Sequence, residues 1–351
     1  MKALRVYGPK DLRLEDIAPP EAPGADEVVV APLFCGLCGT DVREYVGPGG
    51  AVPDQPHPLT GAMKPLVLGH EFSARVVKVG ANVRHVREGD RVAVMPLQHC
   101  GVCVACRRGE FHFCPDKAWT GLSTRYGGLG ELAMIPSYQA TPFGSLSDEQ
   151  GALVEPAAVA LNAVVRAGVS VGDTVHVAGC GPIGAFAILA SIASGATAVY
   201  VSEPNASRAA LGKALGATPL PQGPVAEQAA YVFEQTKGVG VDVAIDCAGK
   251  EGALDLCVEV VRLGGVIGVP GVHTQTPRVN MWRLLRRQLS IVGSQGYTRT
   301  VWDRTIALIA AGRLPVERVV TSTVPLAQVI GAFDRLIDPA QAQVKILIRV
   351  Q

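Results

Sequence analysis

Cys100, Cys103, Cys106 and Cys114 fall within fifteen residues of one another. Four thiolates so spaced can close a tetrahedron around zinc, and a full shell of that kind leaves no position for substrate, so its role would be structural. A ferredoxin-type cluster is the competing reading, since the first three spacings fit and Pro115 follows the last cysteine, but the final interval is seven residues rather than three. The spacing predicts zinc. A second constellation is dispersed: Cys38-Gly39-Thr40-Asp41, Gly69-His70-Glu71 and Val154-Glu155-Pro156. A thiolate, an imidazole and one or two carboxylates suit a catalytic zinc with an open position. Taken singly, each also has a plain structural reading, the Cys as core and the Glu as solvated, and spacing does not show that they converge.

A third pattern reads as a nucleotide site. Val175 to Ala178 is a strand-like run leading into Gly179-Cys180-Gly181-Pro182-Ile183-Gly184 and then an apolar helix start. That context turns Gly-x-Gly-x-x-Gly into a dinucleotide fingerprint: Gly179 for the tight turn, Gly181 for approach of the pyrophosphate, Gly184 for close helix–strand packing. The next strand ends at Ser202-Glu203, placing a carboxylate about twenty residues on, where it can accept both adenosine ribose hydroxyls and repel a 2'-phosphate. Arg208 complicates this, because an Arg near the ribose can accommodate such a phosphate.

These residues need a scaffold, and the chain of 351 residues is long enough for two domains. It is 48% hydrophobic and 18% charged, with a mean hydropathy of +0.26, which fits a well-buried globular protein and excludes a disordered or fibrous one. A net charge of +1 supplies no field for nucleic acid or anionic lipid. Forty Gly and 25 Pro favour strands and turns over a helical bundle. Nine cysteines, an odd number with Cys-x2-Cys steps, point to metal ligation and a reducing, cytoplasmic setting; no signal-peptide pattern opens the chain. The uncharged stretch Thr174 to Ser202 is long enough to span a bilayer, but its glycines and Pro182 divide it into strand, turn, helix and strand.

Up to about residue 155 the chain reads as short strands, among them Val28-Val30, Phe72 to Val79 and Arg91 to Met95. From Ala157 strand-length runs alternate with helix-length ones: Thr174 to Ala178, Ala198 to Val201, Val241 to Asp246, Val266 to Val269 and Leu289 to Val292. Such alternation predicts parallel βαβ units. Helices at Trp302 to Ala311 and Ala327 to Ile337 and a strand at Val344 to Val350 are too few for a third domain and are expected to return to the first. The expected division is 1–156, 157–297 and 298–351.

The chain resembles the zinc-containing medium-chain dehydrogenase/reductase family along nearly its whole length, and within it the 2,3-butanediol dehydrogenase subgroup. The resemblance is carried by Cys35-Gly36-Leu37-Cys38-Gly39-Thr40-Asp41, His57-Pro58-Leu59-Thr60-Gly61, Leu68-Gly69-His70-Glu71-Phe72-Ser73, the four-cysteine run, Leu153 to Pro156, Ala178 to Gly184 and Val201 to Pro204. It implies an α/β protein: a GroES-like β-rich catalytic domain with an inserted Rossmann domain, a doubly wound parallel sheet. It implies zinc ligands at Cys38, His70 and Glu155, with Glu71 as a fourth that substrate or water displaces, and a structural zinc on the four cysteines. Gly179, Gly181, Pro182, Ile183, Gly184, Glu203 and Arg208 then bind NAD. The implied reaction is oxidation of a secondary alcohol, a vicinal diol or its α-hydroxyketone such as 2,3-butanediol or acetoin, with Thr40 taking the alcohol proton. Polyol and L-threonine dehydrogenases are the related alternatives, and a non-catalytic nucleotide-binding regulator the distant one. The family further implies a homodimer or homotetramer acting on a small neutral substrate.

Two positions depart from the subgroup. Arg43 stands where the subgroup usually has the His that ends its proton relay, and Arg cannot shuttle a proton. Asn162 also stands where His is frequent.

Overall fold

The computed structural model describes residues 1–47 and 49–351. Two compact units result: Met1–Glu155 with Val320–Gln351, and Pro156–Val319. In the first, the strand Glu27–Gly36 is buried along most of its length because it pairs on both sides. The sheet runs Ala140–Pro142, Arg91–Val94, Glu71–Val79, Glu27–Gly36, Lys345–Arg349, Val320–Pro325, and Ala133–Pro136 also pairs with Glu27–Gly36. Alternating residues of these strands, among them Val28, Val30, Phe72, Ala74, Val76, Val92, Ile346 and Ile348, form one core. Register brings the ends of three strands together, because Gly36 pairs with Glu71 on one side and Leu347 on the other. Gly36 is required there, since an added Cβ would collide with the Glu71 carboxylate.

The second unit holds a parallel six-stranded sheet in the order Thr218–Pro219, Ala198–Ser202, Thr174–Ala178, Val241–Asp246, Val261–Val269, Ser290–Gly293. Its central strands read as continuous apolar runs because both faces are covered. The uncharged stretch is strand, helix Pro182–Ala193 and strand, and no helix among the described residues is long and apolar enough to cross a membrane. The return expected at 298 lies later. Helix Arg299–Ala310 and the turn Val316–Val319 cluster with the second unit, where Val316 and Val319 are fully buried and Arg318 donates to the Ala214 carbonyl. Burial of those two valines, which composition does not reveal, holds the segment there.

Candidate functional site

Cys38 precedes the helix Gly39–Val46, and its backbone N–H donates to Asp41 Oδ2 at 3.0 Å, which fixes the first turn. His70 and Glu71 lie at the start of the Glu71–Val79 strand, two loops away in the chain. The fold brings all three together: the ligand atoms of Cys38, His70 and Glu71 lie within 4.8 Å of one another, with His70 and Glu71 buried. Asp41 is completely buried, and its Oδ1 lies 3.3 Å from His70 Nδ1. Burial pulls the His70 pKa down, but the negative charges of Asp41 and Cys38 outweigh it and hold the ring well above its ordinary value. A carboxylate behind an imidazole orients the ring and raises the basicity of the other nitrogen, an arrangement suited to metal ligation.

Lys345 completes the cluster from the last strand. Its Nζ, fully buried, donates to Glu71 Oε2 at 2.6 Å and to the Leu37 carbonyl at 2.9 Å. Burial disfavours the ammonium, yet Glu71 and Cys38 keep its pKa above the usual lysine value. Glu155, expected as a ligand, stands outside the Cys38–His70–Glu71 group among the described residues. Its charge adds to that of Glu71 and Cys38 in favouring the Lys345 ammonium, and Glu71 takes the hydrogen bond. Sequence reasoning assigns no role to Asp41 or Lys345. The available signal for Lys345 is a single charge opening the otherwise apolar run Lys345-Ile346-Leu347-Ile348. Nearby Cys35 is completely buried, which pushes its thiol pKa well up, and its Sγ donates to the Gly36 carbonyl at 3.6 Å.

The donor set of this cluster, one sulfur, one nitrogen and one carboxylate, fits a zinc centre with room for a further ligand. Thr40 lies in the first turn of the same helix and accepts a hydrogen bond from Arg43 Nη2 at 3.0 Å. The His57–Gly61 motif folds into a turn, with Thr60 Oγ1 donating to the Ser123 carbonyl at 2.6 Å. Leu59 and Thr60 face a cavity of about 530 Å³ whose lining contains none of the candidate ligands.

The four cysteines form a separate cluster with all sulfurs within 4.8 Å. Cys114 Sγ lies 3.6 Å and Cys106 Sγ 4.0 Å from Cys100 Sγ, near the ~3.8 Å edge of a tetrahedron with Zn–S bonds of ~2.3 Å. Backbone hydrogen bonds from Val102 and Cys103 bring the Cys100 thiol down to about 7, while burial raises Cys106 to about 12. All nine cysteines are free thiols.

In the second unit the glycine loop opens the helix Pro182–Ala193, with Gly181 at its N-cap. An added Cβ at Gly184 would strike the Gly179 carbonyl, whereas one at Gly181 meets nothing, which leaves that backbone open to a phosphate. Gly179, Gly181, Glu203, Arg208 and Ala248 line a cavity of about 590 Å³. Glu203 is already engaged: Oε2 accepts from Cys180 N at 2.8 Å, and Oε1 from Asn205 N and Arg208 Nη2, each at 2.9 Å. Asn162 donates to Ser294 Oγ at 3.1 Å, a tie within the unit.

Comparison with known proteins decides the family. The alcohol dehydrogenase GroES-like domain matches residues 24–145 and the zinc-binding dehydrogenase family matches residues 182–311. The (R,R)-butanediol dehydrogenase of Bacillus subtilis (strain 168) is 33% identical over 99% of this chain and 99% of its own. The chain belongs to the zinc-containing medium-chain dehydrogenase/reductase family. As a member, it is an alcohol dehydrogenase that works with zinc and a nucleotide cofactor. Sorbitol dehydrogenase of Ovis aries has the same identity over a shorter match, 33% over 95% of this chain and 92% of its own. The crystal structure of 2R,3R-butanediol dehydrogenase from Bacillus subtilis superposes with a TM-score of 0.92 and 33% identity, covering 100% of this chain and 99% of that one. This confirms the expected α/β architecture of a GroES-like domain and a parallel Rossmann-type sheet.

Proposed function

We propose that this alcohol dehydrogenase is NAD-linked and acts on a small vicinal diol or its α-hydroxyketone, such as 2,3-butanediol or acetoin. The observation that carries the reading is the Cys38–His70–Glu71 group, its His and Glu buried and backed by Asp41 and Lys345, in a chain similar to butanediol dehydrogenases over its full length. Cys38, His70 and Glu155 would hold one zinc, with Glu71 as a displaceable fourth ligand, and Cys100, Cys103, Cys106 and Cys114 a second. Zinc bound at the first site supplies a Lewis acid that lets an alcohol hydroxyl lose its proton near neutral pH. Thr40 receives that proton. Because Arg43 donates to Thr40 Oγ1 and cannot accept, the proton passes onward to water rather than along this side chain. Glu71, held by Lys345, would be the ligand that a diol's second oxygen could displace, a contact simple alcohols cannot make.

Glu203 supports NAD over NADP. A carboxylate offers about four acceptor sites, and three are taken by protein donors, so Arg208, the one side-chain donor, must yield to admit both ribose hydroxyls. A 2'-phosphate would meet the same carboxylate at close range. We further read the protein as a homodimer or homotetramer: Met281 and Trp282 are 64% exposed, Leu285 69%, and the edge strand carries exposed Ile291. Trp282→Glu should release monomers in sedimentation. Nine free thiols accord with a reducing, cytoplasmic compartment.

The deciding experiment is a substrate panel followed by NADH absorbance. We expect 2,3-butanediol and acetoin to exceed 2-butanol in kcat/KM, with sorbitol and L-threonine poor. The equal identity to a sorbitol dehydrogenase makes a polyol the second reading. Faster turnover of sorbitol than of any four-carbon diol would establish it instead.

A further inference from the structure

Asp246 ends the Val241–Asp246 strand and is completely buried. Its Oδ1 accepts from Ala248 N and Gly249 N, each at 3.0 Å, and its Oδ2 lies 2.8 Å from His273 Nε2. His273 follows the Val261–Val269 strand by four residues, and its side chain is 12% exposed. With Nε2–H donating to the Asp246 carboxylate, a ring carrying a single proton presents Nδ1 as an oriented acceptor. No protein donor occupies Nδ1 among the described residues. The imidazole lines a cavity of about 150 Å³ with Gly249, Lys250 and Thr274.

This pair lies beside the nucleotide cavity, and Lys250 lines both. Ala248 and Lys250 line that cavity, a Cβ added at Gly179 would lie 3.0 Å from Ala248, and Gly249 packs on the Val272 carbonyl beside His273. The sheet order supplies direction. Dinucleotides bind across the carboxyl ends of such a sheet, with the pyrophosphate at the glycine loop and the two nucleosides to either side. Glu203 assigns the adenosine to the Ala198–Ser202 side. The other nucleoside then lies over the Val241–Asp246 and Val261–Val269 ends, where the pair sits.

We propose that His273, oriented by Asp246, is a cofactor-contacting residue whose Nδ1 accepts a hydrogen bond from a ribose hydroxyl of the nicotinamide nucleoside. The inference rests on the nucleotide-cofactor reading, and its test separates the two. Binding of ADP, ADP-ribose and NADH to the full chain is measured by calorimetry at pH 8 for the wild type, His273→Ala and His273→Gln. ADP lacks the second ribose and ADP-ribose lacks only the nicotinamide. In His273→Ala, ADP affinity should stay within twofold while ADP-ribose and NADH both weaken roughly fivefold to tenfold, the worth of one neutral hydrogen bond. His273→Gln, whose amide can donate to Asp246 and accept from the hydroxyl, should recover part of the loss. Equal weakening of all three ligands would show a loop tether and overturn the proposal. Weakening of NADH alone would place the contact on the carboxamide, and no weakening would mean no contact; either overturns it. If the wild type binds neither ADP nor NADH, the cofactor reading fails first and this inference with it. Should His273→Ala not fold, the Gln variant tests the same contact with the tether intact, and its loss of all three ligands would again refute it.

Discussion

The first unit contains two clusters of metal-binding residues built on opposite plans. In the four-cysteine lobe all donors are alike, come from one short segment and point at one another, with Val102 and Phe113 exposed beside them. The Cys38–His70–Glu71 group mixes donors from two distant segments, backs the imidazole with a buried carboxylate and ties the glutamate to a buried lysine from the last strand. A full shell of four thiolates satisfies a tetrahedral ion and stops there. The mixed group has three donors, one of them shared with Lys345, so it keeps a position open and depends on neighbours to stay assembled. The first plan suits stability and the second suits chemistry.

The sharpest way to break this contrast is Cys38→Ser. We expect kcat to fall by about 10³-fold or more, since several kcal/mol of Lewis-acid assistance disappear, while the melting temperature stays within a few degrees. Unchanged turnover would erase the distinction. Lys345→Met comes next: it strands the Glu71 carboxylate in a buried site, which should cost about 3 to 5 kcal/mol in denaturant unfolding. A loss below about 1 kcal/mol would mean that Glu71 is neutral or solvated. Cys103→Ser should do the converse of Cys38→Ser, removing about one zinc per chain by elemental analysis and lowering the melting temperature by roughly 6 to 12 °C for a loss of about 3 kcal/mol. Turnover per folded molecule should remain within about fivefold. Asp41→Asn is milder, with zinc affinity at the mixed site expected to drop roughly 10- to 100-fold in a chelator competition and no change at the cysteine lobe.

The same contrast governs what can be read from sequence. The lobe is legible because its chemistry is local: four cysteines at fixed intervals need no knowledge of the fold. The strands Thr174–Ala178 and Val241–Asp246 are legible for a similar reason, being apolar runs bounded by turn residues. The mixed group is only partly so. Cys38 and His70 can be placed by resemblance, but Lys345 reaches Glu71 through sheet register across 274 positions, which no spacing rule encodes. Glu155 is likewise placed by resemblance, while its electrostatic influence on Lys345 follows only from the fold that brings the last strand near it. The late return of the chain at Val320 is hidden for the same reason, because tertiary burial of Val316 and Val319 decides it.

The smallest expected effect lies at Arg43, where the mixed site departs from its subgroup. The guanidinium donates to Thr40 Oγ1 at 3.0 Å and has no lone pair to offer. One oxygen lone pair of Thr40 is therefore occupied, its hydroxyl hydrogen is turned away from Arg43, and no group with a pKa near 7 follows it along this helix. Arg43→His would reverse the polarity of that contact, because a neutral imidazole can accept from Thr40. Its ordinary pKa is about 6.5, and only the neutral form accepts, so kcat of the variant should rise with pH between about 6 and 8 and level off above. The wild type should show no inflection attributable to this position. At pH 8 the two should differ by no more than about threefold, since water already removes the proton in the wild type. Superimposable profiles would show that proton transfer beyond Thr40 does not limit turnover, and the open character of the mixed site would then rest on its metal donors alone.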